Sequence, residues 1–169
     1  MKLNGYRFSA TGVFGYDFYD AQKELCTVSG ILAPSMPVTI RGRGCAWNSS
    51  LDHGTAVSPG TARAVWDSET KATVCQVVFA GAGRYELLFD DAHVSVHIES
   101  SGYAFFSGDE KIAEIRRTHP IPMIVPKRSE QFDTHLHFRA DVPDPTNPAN
   151  ERIVLILLAF PLLRFDPFR

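Results

Sequence analysis

Apolar and polar residues alternate in short runs through most of this chain, and clusters of Gly, Asp, Ser and Pro separate the runs. Period-two alternation marks a strand with one buried face. Turn residues recurring every ten positions or so predict an antiparallel meander. The clearest part runs from Ala62–Trp66 through the turn Asp67–Thr70 and a strand ending at Phe79. Gly81 and Gly83 then turn the chain into Tyr85–Phe89, Asp90–Asp91 lead to His93–Ile98, and Ser100–Gly102 lead to Tyr103–Phe106. Ser107–Glu110 begins the turn into Lys111–Arg116. Aspartates at Asp67, Asp90, Asp91 and Asp109 fall at these turns, where a carboxylate can accept from local backbone N–H groups.

The pattern is shorter and more aromatic at the start. Tyr6–Ser9, Val13–Tyr19, Leu25–Val28 and Met36–Arg41 are expected as strands, with Pro34 and Pro37 confining their surroundings to edges or loops. Gly42 to Gly60 has glycines, Asn48, Ser49, Ser50 and Pro59, and is expected as an exposed loop or hairpin arm. Later, Phe132, Thr134, Leu136 and Phe138 alternate with Asp133, His135, His137 and Arg139, so the two sets should occupy opposite faces of one strand.

The end of the chain departs from alternation. Ile153 to Phe160 is continuously apolar, followed by Pro161, Leu162 and Leu163. Asn147 suits an N-cap, Pro148 the first helical position and Glu151 the first turn. A helix over about 148–160 would be greasy on every side, which means a helix surrounded by protein. Pro161 should end or kink it. A fully buried strand is the competing reading, because periodicity alone does not separate the two. A membrane-spanning helix needs about 20 apolar residues, and this run is shorter.

Composition narrows the function classes. The 169 residues suit a single domain, and 44% hydrophobic content supports a real core. A net charge of -2 provides no general field for nucleic acid, so any polyanion site must be a local patch. Cys26, Cys45 and Cys75 are too scattered for a zinc cluster or a disulfide framework, and Cys75 belongs to the apolar face of its strand. Reduced thiols and an N-terminus without a hydrophobic signal core point to the cytoplasm.

A meander closed around an all-apolar C-terminal helix resembles the tubby C-terminal-like superfamily of tubby proteins, phospholipid scramblases and LURP-one-related proteins. Val65–Lys71, Gly83–Leu87, Gly108–Arg116 and Arg152–Phe165 carry the likeness. The resemblance implies a single domain over 1–169, a closed antiparallel barrel of about twelve strands threaded by a hydrophobic helix. It brings no catalytic motif. The lysine and arginine arrangement with which tubby proteins bind phosphoinositides has no counterpart here, so that ligand is not carried over.

Two constellations could carry chemistry. Lys111, Arg116 and Arg117, with Lys127 and Arg128 beyond the proline bend, could form a cationic patch for a phospholipid headgroup. Charge on a sheet edge that prevents aggregation is the plainer explanation of the same residues. His135 and His137 share a strand face, as do His93 and His97; on adjacent strands the four could hold a metal, whereas a solvated outer face is the plainer explanation. Arg41–Gly44 and Gly81–Gly83 lack the strand-to-helix setting of a phosphate loop, and no nucleophile elbow or triad spacing occurs. The expectation is a binding or scaffold domain without a cofactor, cytoplasmic and peripheral to an anionic membrane surface. The alternatives are a histidine-based metal protein or metal-dependent enzyme, and an interaction module acting through Gly42–Gly60. Oligomeric state stays open.

Overall fold

The computed structural model describes residues 1–10, 13–21, 23–30, 37–51, 55–118 and 132–165, without the side chains of 9, 10 and 132–137. Among the described residues, twelve strands precede one helix. They are β1 (Lys2–Ala10), β2 (Val13–Asp20), β3 (Lys23–Gly30), β4 (Val38–Gly42), β5 (Cys45–Ser50), β6 (Ala62–Asp67), β7 (Thr73–Gly81), β8 (Arg84–Leu88), β9 (His93–Glu99), β10 (Gly102–Ser107), β11 (Glu110–Thr118) and β12 (Phe132–Asp141); the helix is α1 (Pro148–Leu163). Each strand pairs antiparallel with its chain neighbour, and β12 closes on β1, so the sheet is a barrel without edges.

Alternation in the sequence becomes inside and outside here. Val94 and Val96 of β9, Val65 of β6, and Val77 and Phe79 of β7 are buried, while His93 and Gln76 on the opposite faces are exposed. The inward side chains meet α1. From Val154 to Leu163 every helical residue is buried, and Ile156 to Phe160 have no exposed surface. Phe160 makes edge-on ring contacts with Tyr85 at 5.2 Å and Tyr103 at 5.3 Å. At the other end Leu155 packs so close to Gly42 that a Cβ there would lie 2.9 Å from its Cδ1. The terminal run therefore fills the barrel.

The predicted start of α1 is present in detail. Asn147 is the N-cap and its side-chain oxygen accepts from the Ala149 N–H at 3.1 Å, with Pro148 and Glu151 in the first turn. Arg152 ties this end to the β8–β9 turn through Asp91, with its guanidinium 5.6 Å from the Phe89 ring. Of the two outcomes expected at Pro161, an end or a kink, the end is corrected, since the helix continues through Pro161 to Leu163. Pro161 removes only its own N–H from the last turn. Buried Leu162 and Leu163, with the Arg164 N–H donating to the Phe160 carbonyl at 3.1 Å, hold that turn closed.

The expected Gly42–Gly60 arm is also corrected. Its first half is β5, an interior member of the sheet with Trp47 and Ser49 buried. Its polar residues are satisfied across the ladder. Ser49 donates to the Ala64 carbonyl at 2.7 Å, while the Asn48 side chain accepts from Thr39 at 3.2 Å and donates to Ser68 at 2.6 Å. Inside the barrel Arg63 donates to the Ser49 hydroxyl at 2.8 Å. Pro37 lies just before β4 in a sheet that has no edges, and Pro34 lies outside the described residues.

Candidate functional site

With α1 occupying the centre, the chemistry-bearing side chains that meet water lie on the outer faces and rims of the strands. The outer face of β11, β12 and β1 concentrates charge in two rows set by register. One row runs Lys2–Asp141–Glu114, and the next runs Asn4–Arg139–Arg116. Acid thus lies opposite acid and arginine opposite arginine across the β11–β12 ladder. Residues directly opposite one another in such a ladder have Cβ atoms about 5 Å apart, and like charges there are destabilising.

Ion pairing relieves the acid row, in which the Met1 ammonium lies 3.6 Å from Asp141 Oδ1. Glu114 Oε2 accepts from Lys111 Nζ at 2.5 Å and from the Arg116 guanidinium at 2.9 Å. The hydrogen bond from Lys111, reinforced by that from Arg116, holds the Glu114 carboxyl below the ordinary glutamate value. Arg139 is exposed, and among the described residues it has no ion-pair partner. Two clefts cover this face. One of about 350 Å³ is lined by Lys111, Ile112, Ala113, Glu114 and Asp141. The other, about 300 Å³, is lined by Lys2, Glu114, Arg116, Thr118, Arg139 and Asp141. Gly102 stands opposite Arg116 on β10, where a Cβ would come 1.9 Å from the Ile115 carbonyl oxygen, so the backbones approach closely and β10 places no side chain opposite the arginine.

The basic patch expected from sequence is thereby rearranged. Lys111 and Arg116 belong to one network through Glu114. Arg117 does not join them. It is in register with Phe138 and continues the inward set of Ala113 and Ile115 at the rim, because consecutive strand residues point to opposite faces. Lys127 and Arg128 lie outside the described residues. Lys2 and Arg139 complete the face in their place. Alternation alone placed Arg139 on the outer side of its strand; the neighbour it would face required the strand order.

The histidine constellation is separated. β10 and β11 lie between β9, which carries His93 and His97, and β12, which carries His135 and His137. Three inter-strand spacings make about 14 Å along the sheet. His93 contacts Glu86 Oε2 at 2.6 Å, and Ser95 donates to the same oxygen at 2.7 Å. His97 lies against the Phe106 ring, with centroids 4.8 Å apart. The side chains of His135 and His137 are outside the description. Among the described residues no three His, Cys, Asp or Glu side chains gather as a metal group.

The remaining candidates have local explanations. Cys75 is buried, and burial pushes its thiol up to about 12; burial likewise raises Cys26. Asp67 accepts from the N–H groups of Thr70 at 2.8 Å and Glu69 at 2.9 Å, the turn role expected of it. Among the described residues no helix is long and apolar enough to cross a membrane. No family model, curated protein or solved structure matches this chain.

Proposed function

We propose that this chain is a non-catalytic binding domain of tubby-like architecture, acting at the cytoplasmic surface of a membrane by recognising an anionic phospholipid headgroup. The observation that carries the reading is the Arg116–Arg139 pair, directly opposed across β11 and β12 above an open cleft. Two arginines directly opposed in a ladder place like charges side by side, and a phosphate between them would convert that repulsion into paired, charge-assisted hydrogen bonds. Planar guanidinium forks suit phosphate oxygens better than lysine does. Lys2 and Thr118 border the same cleft and supply a further cation and a hydroxyl. The helix-filled interior supports binding at the surface over chemistry in a central pocket.

Vesicle flotation tests this. The wild type is expected to float with phosphatidylcholine vesicles that contain phosphatidic acid, to ignore pure phosphatidylcholine, and to release as salt rises. The double variant Arg116→Gln, Arg139→Gln should bind at least about tenfold more weakly, since hydrogen bonds to charged groups are worth roughly 1.5–3 kcal/mol each. Wild-type protein that ignores anionic vesicles at every salt concentration defeats the proposal, as does equal binding by the double variant.

A further inference from the structure

The two arginines of the cleft are not equivalent. Glu114 holds the Arg116 guanidinium at 2.9 Å, whereas Arg139 has no ion-pair partner among the described residues. Glu114 reaches Arg116 from two residues away on the same strand, and its carboxylate takes up donor capacity that an incoming anion would need. Lys111 donates to the same carboxylate oxygen at 2.5 Å. Asp141, paired with the Met1 ammonium at 3.6 Å, lies directly opposite Glu114 on the wall of both clefts.

From this geometry, and resting on the reading of the arginine row as an anion site, we infer that Glu114 is a built-in competitor. Its carboxylate occupies Arg116 in the empty protein and must be displaced when a phosphate group bridges Arg116 and Arg139. Lys111 is the partner that receives it, because Lys111 already binds the same oxygen. At Arg116 one pair replaces another, since Glu114 gives up Nη2, keeps Lys111, and the phosphate takes the vacated donor while gaining its own pair with Arg139. The device tunes affinity downwards and favours a doubly charged phosphomonoester over a singly charged diester, because the ligand has to outbid a carboxylate already in place. That ligand chemistry occurs both on a lipid headgroup and as free phosphate.

The test compares Glu114→Gln with the wild type, using phosphatidic acid in phosphatidylcholine vesicles and, in a separate arm, inorganic phosphate followed by backbone amide shifts. Glu114→Gln should bind about two- to fivefold tighter, the scale of losing one exposed ion pair. Glu69→Gln, at the exposed β6–β7 turn, makes the same change in net charge and should leave affinity unchanged. In an Arg116→Gln background the gain from Glu114→Gln should vanish, because no guanidinium remains to be released. Tightening in the vesicle arm alone identifies a headgroup as the source, and tightening in both arms identifies phosphate as such. If the wild type binds and Glu114→Gln binds equally or more weakly, Glu114 positions Arg116 and the competitor role is overturned while the anion site stands. A gain matched by Glu69→Gln, or one that persists without Arg116, also overturns it. No binding by either the wild type or Glu114→Gln removes the site and the competitor together.

Discussion

Along β11, Ala113 and Ile115 are buried in the barrel, while Glu114 and Arg116, each one residue away, face water on the other side. The inner set belongs to a continuous apolar cluster with α1, including Leu157, Leu158 and Phe160 at no exposure. The outer set makes adjustable ion pairs over shallow clefts. One strand therefore has a side where shape decides and a side where charge decides. Packed interiors respond to the loss of a single methylene, whereas exposed ion pairs contribute little to folding. The difference teaches where function can reside: the outer face can change its residues without endangering the barrel.

Paired substitutions can break that contrast. Leu158→Ala is expected to lower stability by about 2–5 kcal/mol, because its surroundings cannot collapse into the space. Arg139→Gln should change stability by less than about 0.5 kcal/mol, as exposed substitutions do. Urea unfolding of the two variants beside the wild type checks both. A Leu158→Ala cost near that of Arg139→Gln would mean that the helix does not form the core.

Acid titration sharpens the outer side with a smaller effect. Hydrogen bonding from Lys111 and Arg116 holds Glu114 below the ordinary glutamate value, so the folded state favours its ionised form. A depressed folded-state pKa adds stability that is complete above the unfolded value and disappears as pH falls through the folded one. Stability should therefore decline as pH drops from the ordinary glutamate range downwards, and Glu114→Gln should show a shallower decline. Urea midpoints measured across that window decide it, and equal slopes for the two proteins would contradict the ion-pair account.

The barrel was legible because its inward residues obey a strict period. Tyr85 and Leu87, Val94 and Val96, and Ala113 and Ile115 alternate with polar neighbours, and the helix announces itself through Asn147, Pro148 and an apolar run. β5 was hidden because Asn48, Ser49 and Ser50 look like loop residues until cross-strand partners satisfy them. Pro161 misled for a related reason, since tertiary packing of the last turn outweighs the one hydrogen bond it removes. The candidate site was only half legible. Alternation separates Arg116 from Arg117 and puts Arg139 on the outer side of β12, yet the meeting of Arg116 with Arg139 depends on register between β11 and β12. No local pattern encodes that pairing. The same absence of non-local information made the histidines of β9 and β12 look like partners when two strands divide them.

Amide chemical-shift mapping during titration with a soluble, short-chain phosphatidic acid tests most directly whether the outer face is the working surface. The account predicts shifts centred on Glu114, Arg116, Thr118, Arg139 and Asp141, with the amides of Val154 to Leu163 unmoved. Shifts centred on the helix, with the β11–β12 face silent, would contradict it.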